Sequence, residues 1–525
     1  MLDPVHDECG IAAVYRMDRA LSPGDMETGS VVPMIPDMLI DLQNRGQLAA
    51  GLTRYDSEAS QVIDTYKDAG SVTDVFRLTH PDPAKFQAIV DRYSGQAAIG
   101  HVRYATSGRD DSDYAQPFER HDGRKWEWFA FCFNGNIANY SQLRDKLLSK
   151  GDYHLVRETD TELLMHHLAY ALKRAKDGDF VDVFQHIGRV VDGAYSLAFL
   201  NAAGDLVLAR DPYGFRPLCY GVKGNLFGAA SESLALTNQG FENLENLEPG
   251  CLVHVRPDGF NVERFAESTR RAYCFFEWVY FSNVASTIND RSVYITRTRL
   301  GEALAEAETL SADPDDCIAV PVPDTAKAAC DGMAYAMGIP SREGLIRNRY
   351  VGRTFIEGKN RKERANRKYT ALPEVLEGKR VFLVEDSIVR STTLRVIARM
   401  IREQGRAREV HVRVACPPIM APCGYGIDMS TVTELIAPKF FDEPDGGELP
   451  PERLAALADE LGVDSLRYLT VSALTKALGM PKDDLCLGCV LGEYPTPWGD
   501  RLYKEALRSK DGPEQGRTYE RVIGS

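Results

Sequence analysis

The sequence predicts two globular parts of different class: an α+β layered domain, then an α/β domain built on a parallel sheet. Up to about residue 262, short strands cluster apart from a few helices, as in layered α+β folds. Beyond it strand, turn and helix alternate, which implies a parallel sheet with ligands at the carboxyl ends of its strands. The length, 525 residues, leaves room for two to four domains of roughly 100–200 residues.

Within the first part, Ala97–Ala105, Trp126–Phe133, Ala194–Leu200, Asp205–Ala209 and Cys251–Arg256 read as strands. Helices are expected over Asp37–Asn44, Tyr140–Ser149 and Thr159–Ala175. In the second part, Cys317–Val322 is an apolar strand that breaks at Pro323-Asp324-Thr325 into the Ala-rich helix Ala326–Met337. Arg380–Val384 is a strand followed by a helix over Thr392–Glu403, where Leu394, Ile397 and Ile401 recur at helical spacing. Glu409–Ala415 supplies another strand, Pro444–Pro451 reads as a surface loop, and the last 25 residues are highly charged and expected at the periphery.

The composition narrows the function. Hydrophobic residues at 44% and charged residues at 26% exclude disorder as a description of the whole chain. No apolar run approaches the roughly 18 residues of a membrane span, so no membrane partner is expected. The balance of 62 basic against 76 acidic residues, −14, argues against nucleic acid as a partner. Met1–Glu8 lacks the basic and apolar regions of an export signal. Eleven cysteines, an odd number at low density, then fit a reducing cytoplasm.

Three regions carry candidate chemistry. Cys9 opens an apolar strand; it is either a core cysteine or a nucleophile whose own α-amine, once Met1–Glu8 is removed, serves as the base. Arg103, at a strand end in Gly100–Thr106, suits a carboxylate clamp. Asn134 and Gly135 could form an oxyanion hole. Asp160 either holds an ammonium group or caps a helix. Together they fit a free amino acid with a side-chain carbonyl.

In the second region, Glu385 and Asp386 end a buried strand, and Ser387, Ile388, Val389, Arg390, Ser391, Thr392 and Thr393 run into a helix N-terminus. Backbone N–H groups and hydroxyls there can wrap a phosphate, and the paired acids suit ribose hydroxyls or magnesium. An ordinary strand–loop–helix crossover is the alternative. Residues 347–368 hold nine Lys or Arg against two Glu, which suits either a polyanionic ligand or a solvated surface run. The third region is Cys486-Leu487-Gly488-Cys489, open to reading as a redox pair, half a zinc site or free thiols. Cys132, Cys219, Cys251, Cys317, Cys330 and Cys416 read as core residues.

These motifs resemble a known family. Cys9-Gly10, Asn44-Arg45-Gly46-Gln47, Gly100–Thr106, Asn134-Gly135-Asn136 and Thr159–Glu162 are similar to the glutaminase domain of N-terminal-nucleophile amidotransferases, with Phe133 where a histidine is common. Val381–Thr393 resembles the phosphoribosyl-pyrophosphate (PRPP) motif of type I phosphoribosyltransferases, Val322–Thr325 the companion pyrophosphate loop, and Asn348–Phe355 the approach to the loop that closes over PRPP. Glu385 stands where the family has Asp, and Ser391 where it has Gly, a position expected to need positive φ at a cost of roughly 1 kcal/mol.

The resemblance spans about Glu8 to Thr496 and is to the amidophosphoribosyltransferases, in the branch that carries a [4Fe–4S] cluster. It implies a propeptide over 1–8 and an N-terminal-nucleophile glutaminase sandwich over 9–262. A type I phosphoribosyltransferase domain follows over 263–497, then a charged tail over 498–525. Ammonia from glutamine would convert PRPP to 5-phosphoribosylamine, opening purine synthesis. By the same resemblance Cys9, Asn134 and Gly135 are catalytic, and Arg103 and Asp160 bind glutamine. Asp324, Thr325, Lys368 and Glu385 to Thr393 bind PRPP, with Mg2+ near Thr325, Glu385 and Asp386. Cys274, Cys423, Cys486 and Cys489 would hold the cluster in a structural role. A homo-oligomer, dimer or tetramer, is also implied. The rival functions are a PRPP-sensing regulator and a paralogue that delivers ammonia to other phosphoribosyl chemistry.

Overall fold

A computed structural model describes residues 9–18, 29–104, 112–348, 368–429, 431–442, 444 and 446–508. The leader 1–8, Ala105 and Thr106, most of the basic run (349–367) and the tail beyond 508 lie outside the described residues.

Two antiparallel sheets form the first part. One has seven strands, with Gly10–Arg16 between Leu226–Ala230 and Ala97–Arg103. The other has six, with Phe129–Ile137 beside Gly193–Asn201. The period-two alternation of strands places their faces. Ile11, Ala13 and Tyr15 of the first sheet meet Ala130, Cys132, Ala198 and Leu200 of the second in one core. The alternate residues point outward and are also buried. Ala12 and Val14 lie under helix Met34–Asp41, and Phe129, Phe131 and Phe133 lie under helices Asp160–Arg174 and Phe180–Val190. This helix–sheet–sheet–helix sandwich is why its strands read as continuous apolar runs. Its last strand, Gly259–Arg264, runs two residues beyond the expected boundary.

The second part holds a four-stranded parallel sheet in the order Cys317–Pro321, Arg380–Glu385, Glu409–Val414, Ser465–Tyr468. Helices Val293–Glu306 and Lys327–Met337 pack closely because Gly301 and Gly332 face the partner's backbone; a Cβ on Gly301 would stand 1.8 Å from the Ala329 carbonyl oxygen. Between the parts lies a short π-helix, Glu277–Phe281, a form that often marks functional sites.

Two expectations are corrected. Ser391 has φ −75° and ψ −14°, ordinary right-handed backbone, so the anticipated cost of serine is absent. The start of the charged tail is a packed helix, Pro497–Arg508, that buries Leu502 and Ala506; its charges occupy only the outward face. Among the described residues no helix is long and apolar enough to cross a membrane.

Candidate active site

Cys9 immediately precedes its strand and lines a small pocket with Arg103, Tyr104, Phe133, Gly135, Thr159 and Asp160. Its Sγ donates to the Tyr104 carbonyl at 3.6 Å. Burial pushes the thiol up to about 11, against the pull of a Tyr104 backbone hydrogen bond and of Arg103, so a base must take its proton before it attacks. Gly135 has φ +152°, and a Cβ there would come 1.9 Å from the Ala194 carbonyl oxygen, so only glycine fits. Asn134 is buried and its Nδ2 has no hydrogen-bond partner, an uncommon state for a buried donor. The helix behind is capped by Thr159, which accepts from the Glu162 amide. Asp160 therefore sits one residue inside the helix, facing the pocket. Phe133 packs with the outer aromatic core. Below it His101 is fully buried and held down to about 3, chiefly by burial.

A larger cleft of about 370 Å³ opens at the carboxyl end of the parallel sheet. It brings together Asp324, Thr325, Lys368, Glu385, Asp386, Ser387, Ile388, Val389, Arg390 and Thr393. Ser391 and Thr392 line the adjoining groove along helix Thr392–Glu403 instead. Thr325 donates to Asp386, and Glu385 folds back so that its Oε1 accepts from the Asp386 amide at 3.3 Å. Burial and the neighbouring Asp386 hold Glu385 well above the usual carboxylate range. Asp386 is raised too, by burial against its bonds from Thr325 and Ser387.

Residues not singled out as PRPP ligands also line this cleft. Arg297 is fixed by three backbone carbonyls, those of Trp278, Tyr280 and Ser282, at 2.8–2.9 Å. Asn44 and Gln47 reach the cleft from the sandwich. Between them Arg45, fully buried, bonds Glu232 and Glu277, each at 2.6 Å, and Ser282 at 2.9 Å. Burial alone would raise Glu277, yet Arg45 and Arg216 hold it below the usual carboxylate range. Arg297 carried no sequence signal, because what selects it is the curl of a π-helix around its guanidinium.

Cys274, Cys423, Cys486 and Cys489 meet around one small pocket with Phe215, Arg216 and Tyr494. A two-residue parallel bridge sets Cys274 opposite Cys486, Met420 and Ala421 donate to the Cys489 carbonyl, and the Tyr425 amide donates to Cys423 Sγ at 3.3 Å. Burial raises the thiol of Cys274 to about 11 and those of Cys486 and Cys489 further. Among the described residues no group of three or more His, Cys, Asp or Glu side chains is spaced to hold a metal ion. A single zinc ion draws its thiolates in to about 2.3 Å, whereas a four-iron cluster holds them farther apart. Four thiols around one cavity are a donor set of the kind that holds either a zinc ion or an iron–sulfur cluster.

Fold and pockets together define a class: a glutaminase sandwich joined to a phosphoribosyltransferase domain. A family model described as a glutamine amidotransferase domain matches residues 101–238. The amidophosphoribosyltransferase of Methanothermobacter thermautotrophicus is 37% identical over 96% of this chain and 98% of its own; that of Bacillus subtilis is 35% identical over 94% and 95%. Among solved structures, the glutamine PRPP amidotransferase from B. subtilis complexed with ADP and GMP superposes with a TM-score of 0.77 at 34% identity, covering 93% of this chain and 98% of that one. The chain belongs to the amidophosphoribosyltransferase family. It is an enzyme of that type, acting at the first step of purine biosynthesis.

Proposed function

We propose that this chain hydrolyses glutamine at Cys9 and delivers the nitrogen to PRPP in the cleft around Glu385 and Asp386, giving 5-phosphoribosylamine, pyrophosphate and glutamate. The observation that carries this reading is the shared wall. Asn44 and Gln47 line the same cleft as Glu385 and Asp386, while Gly46 abuts the Arg103 backbone of the Cys9 pocket, its Cβ position 2.5 Å from the Arg103 carbonyl carbon.

In this mechanism removal of residues 1–8 frees the Cys9 α-amine, whose ordinary pKa of about 8 suits it to take the thiol proton. The thiolate adds to the glutamine carboxamide carbon. The unpartnered Nδ2 of Asn134 and the Gly135 amide donate to the oxygen that gains charge. The C–N bond breaks, the amine proton leaves with ammonia, and water releases glutamate from the thioester. Arg103 grips the glutamine carboxylate with its planar fork, and Asp160 holds the ammonium group.

Ammonia then adds to C1 of the ribose as the bond to pyrophosphate breaks. Positioning and charge stabilisation do most of the work there. Ser387 to Arg390 and Thr393 hold the 5-phosphate, with Ser391 and Thr392 turned to the adjoining groove; Glu385 and Asp386 hold the ribose hydroxyls, and Asp324, Thr325 and Lys368 the pyrophosphate side. Two buried, raised carboxylates with the Thr325 hydroxyl form a hard oxygen set suited to Mg2+, which binds with few protein ligands when phosphates complete its shell. When bound it would neutralise charge gathering on the leaving pyrophosphate. Cys274, Cys423, Cys486 and Cys489 would hold a [4Fe–4S] cluster that ties the segment around 486 to residue 274. Domains at 9–262 and 263–497, a cytoplasmic homo-oligomer and removal of the leader complete the reading.

Cys9→Ala tests it. Synthesis with glutamine should fall below detection while synthesis with ammonium chloride persists; loss of both, or of neither, would refute the assignment.

A further inference from the structure

Among the described residues that line the cleft, Asn44 is the one whose hydrogen bonding leaves a buried atom unmet. Its Nδ2 donates twice, to Glu232 Oε1 and to the Phe281 carbonyl, both at 2.9 Å. Both partners only accept, so the amide cannot turn round, and Oδ1 is held on the other side. Oδ1 is shielded from solvent and has no partner. A sealed acceptor with no donor destabilises the protein that carries it, and such groups ask for an explanation.

Its position supplies one. The segment Asn44–Gln47 is the partition between the two sites. On one side Arg45 Cδ stands 3.3 Å from the Cβ position of Gly10, next to Cys9, and Gly46 abuts the backbone of Arg103 and Tyr104. On the other side Asn44 and Gln47 face the cleft that holds Glu385 and Asp386. Bulk water does not reach Oδ1, so its donor must come from within or when the partition shifts. The small donor released on the Cys9 side is ammonia. A neutral NH3 that donates one N–H to Oδ1 keeps its lone pair for C1 of the sugar.

We infer that Asn44 Oδ1 is a binding point for ammonia in transit between the two sites. The inference rests on the transfer proposed above. It names a positioning residue on the cleft wall, argued to act on the ammonia rather than on glutamine or PRPP.

The test measures phosphoribosylamine formed per glutamate released, and the KM for ammonium chloride in synthesis without glutamine, in wild type, Asn44→Leu and Asn44→His. A neutral imidazole keeps one donor and one acceptor, whereas leucine keeps neither. In wild type the ratio should be near one. In Asn44→Leu it should fall and the KM for ammonia rise about fivefold, the worth of one neutral hydrogen bond, with recovery in Asn44→His. Should Asn44→Leu not fold, Asn44→Ala carries the same expectation. An unchanged ratio and unchanged KM, or slower glutamine hydrolysis with the ratio intact, would overturn the inference and show a structural role. A wild type that makes no phosphoribosylamine from glutamine would instead overturn the transfer itself.

Discussion

Replacing Glu277 by alanine should loosen the joint between the two parts more than any surface change could. Arg45, Arg216, Glu232 and Glu277 are each no more than 1% exposed, and as two cations and two anions they balance. Arg45 meets Glu232 and Glu277 at 2.6 Å, and Arg216 meets Glu277 at 3.6 Å. Glu277→Ala leaves a net positive charge in a place water does not reach. Breaking a buried pair from one side costs about 3–5 kcal/mol, whereas removing both partners is often close to neutral. A two-domain chain need not unfold in one step, so the readout should be local. The Ser282 amide, which donates to the Glu277 carbonyl at 3.1 Å, reports on the joint by hydrogen exchange. Its protection should fall by about 10²- to 10⁴-fold in Glu277→Ala, and most of that should return in Arg45→Met/Glu277→Met. A loss below about tenfold, or a double variant as weak as the sum of its singles, would refute the charge-balance reasoning.

Other consequences are as direct. Gly135→Ala should cut glutamine hydrolysis by at least about 10²-fold while synthesis from ammonia survives, since a Cβ there displaces the strand that carries the oxyanion donor. His101 is neutral in the fold, held down to about 3, against about 6.5 unfolded. The unfolded chain therefore binds the extra proton, and stability should fall as pH drops through that window, by about 2 kcal/mol at pH 5. His101→Gln should flatten this acid limb in urea titrations. Cys489→Ser should lower iron content after anaerobic reconstitution and abolish the visible absorbance of a cluster; a colourless wild type carrying zinc would contradict the cluster reading.

How much of this was legible in the sequence depends on range. Strand Arg380–Glu385 and helix Thr392–Glu403 were visible because four apolar residues in a row and a helical period leave little choice. The expected helix Asp37–Asn44 lies three residues late at each end of the observed Met34–Asp41, whose first turn accommodates Pro36 because the amide there has no helical partner to lose. The exposed edge strand Glu242–Asn246 has no apolar alternation and gave no signal. Cys9, Asn134 and Asp160 were found as chemistry, but the Asn134 amide's lack of a partner is a property of packing. The sequence groups the four cysteines by resemblance alone, for long-range contacts such as the Cys274–Cys486 bridge and the Met420 and Ala421 bonds to Cys489 make distant positions neighbours. Arg297 and the role of Asn44 as partition arise from three-dimensional placement and leave no local trace.

The most direct measurement of the central claim is isotopic. Wild-type enzyme is given PRPP and amide-15N glutamine in the presence of excess unlabelled ammonium, and the product is analysed by mass spectrometry after trapping. If nitrogen passes from Cys9 to the cleft without leaving the protein, the phosphoribosylamine made in the glutamine-driven reaction carries the 15N of glutamine. Product labelled only to the level of the bulk ammonium pool would contradict it.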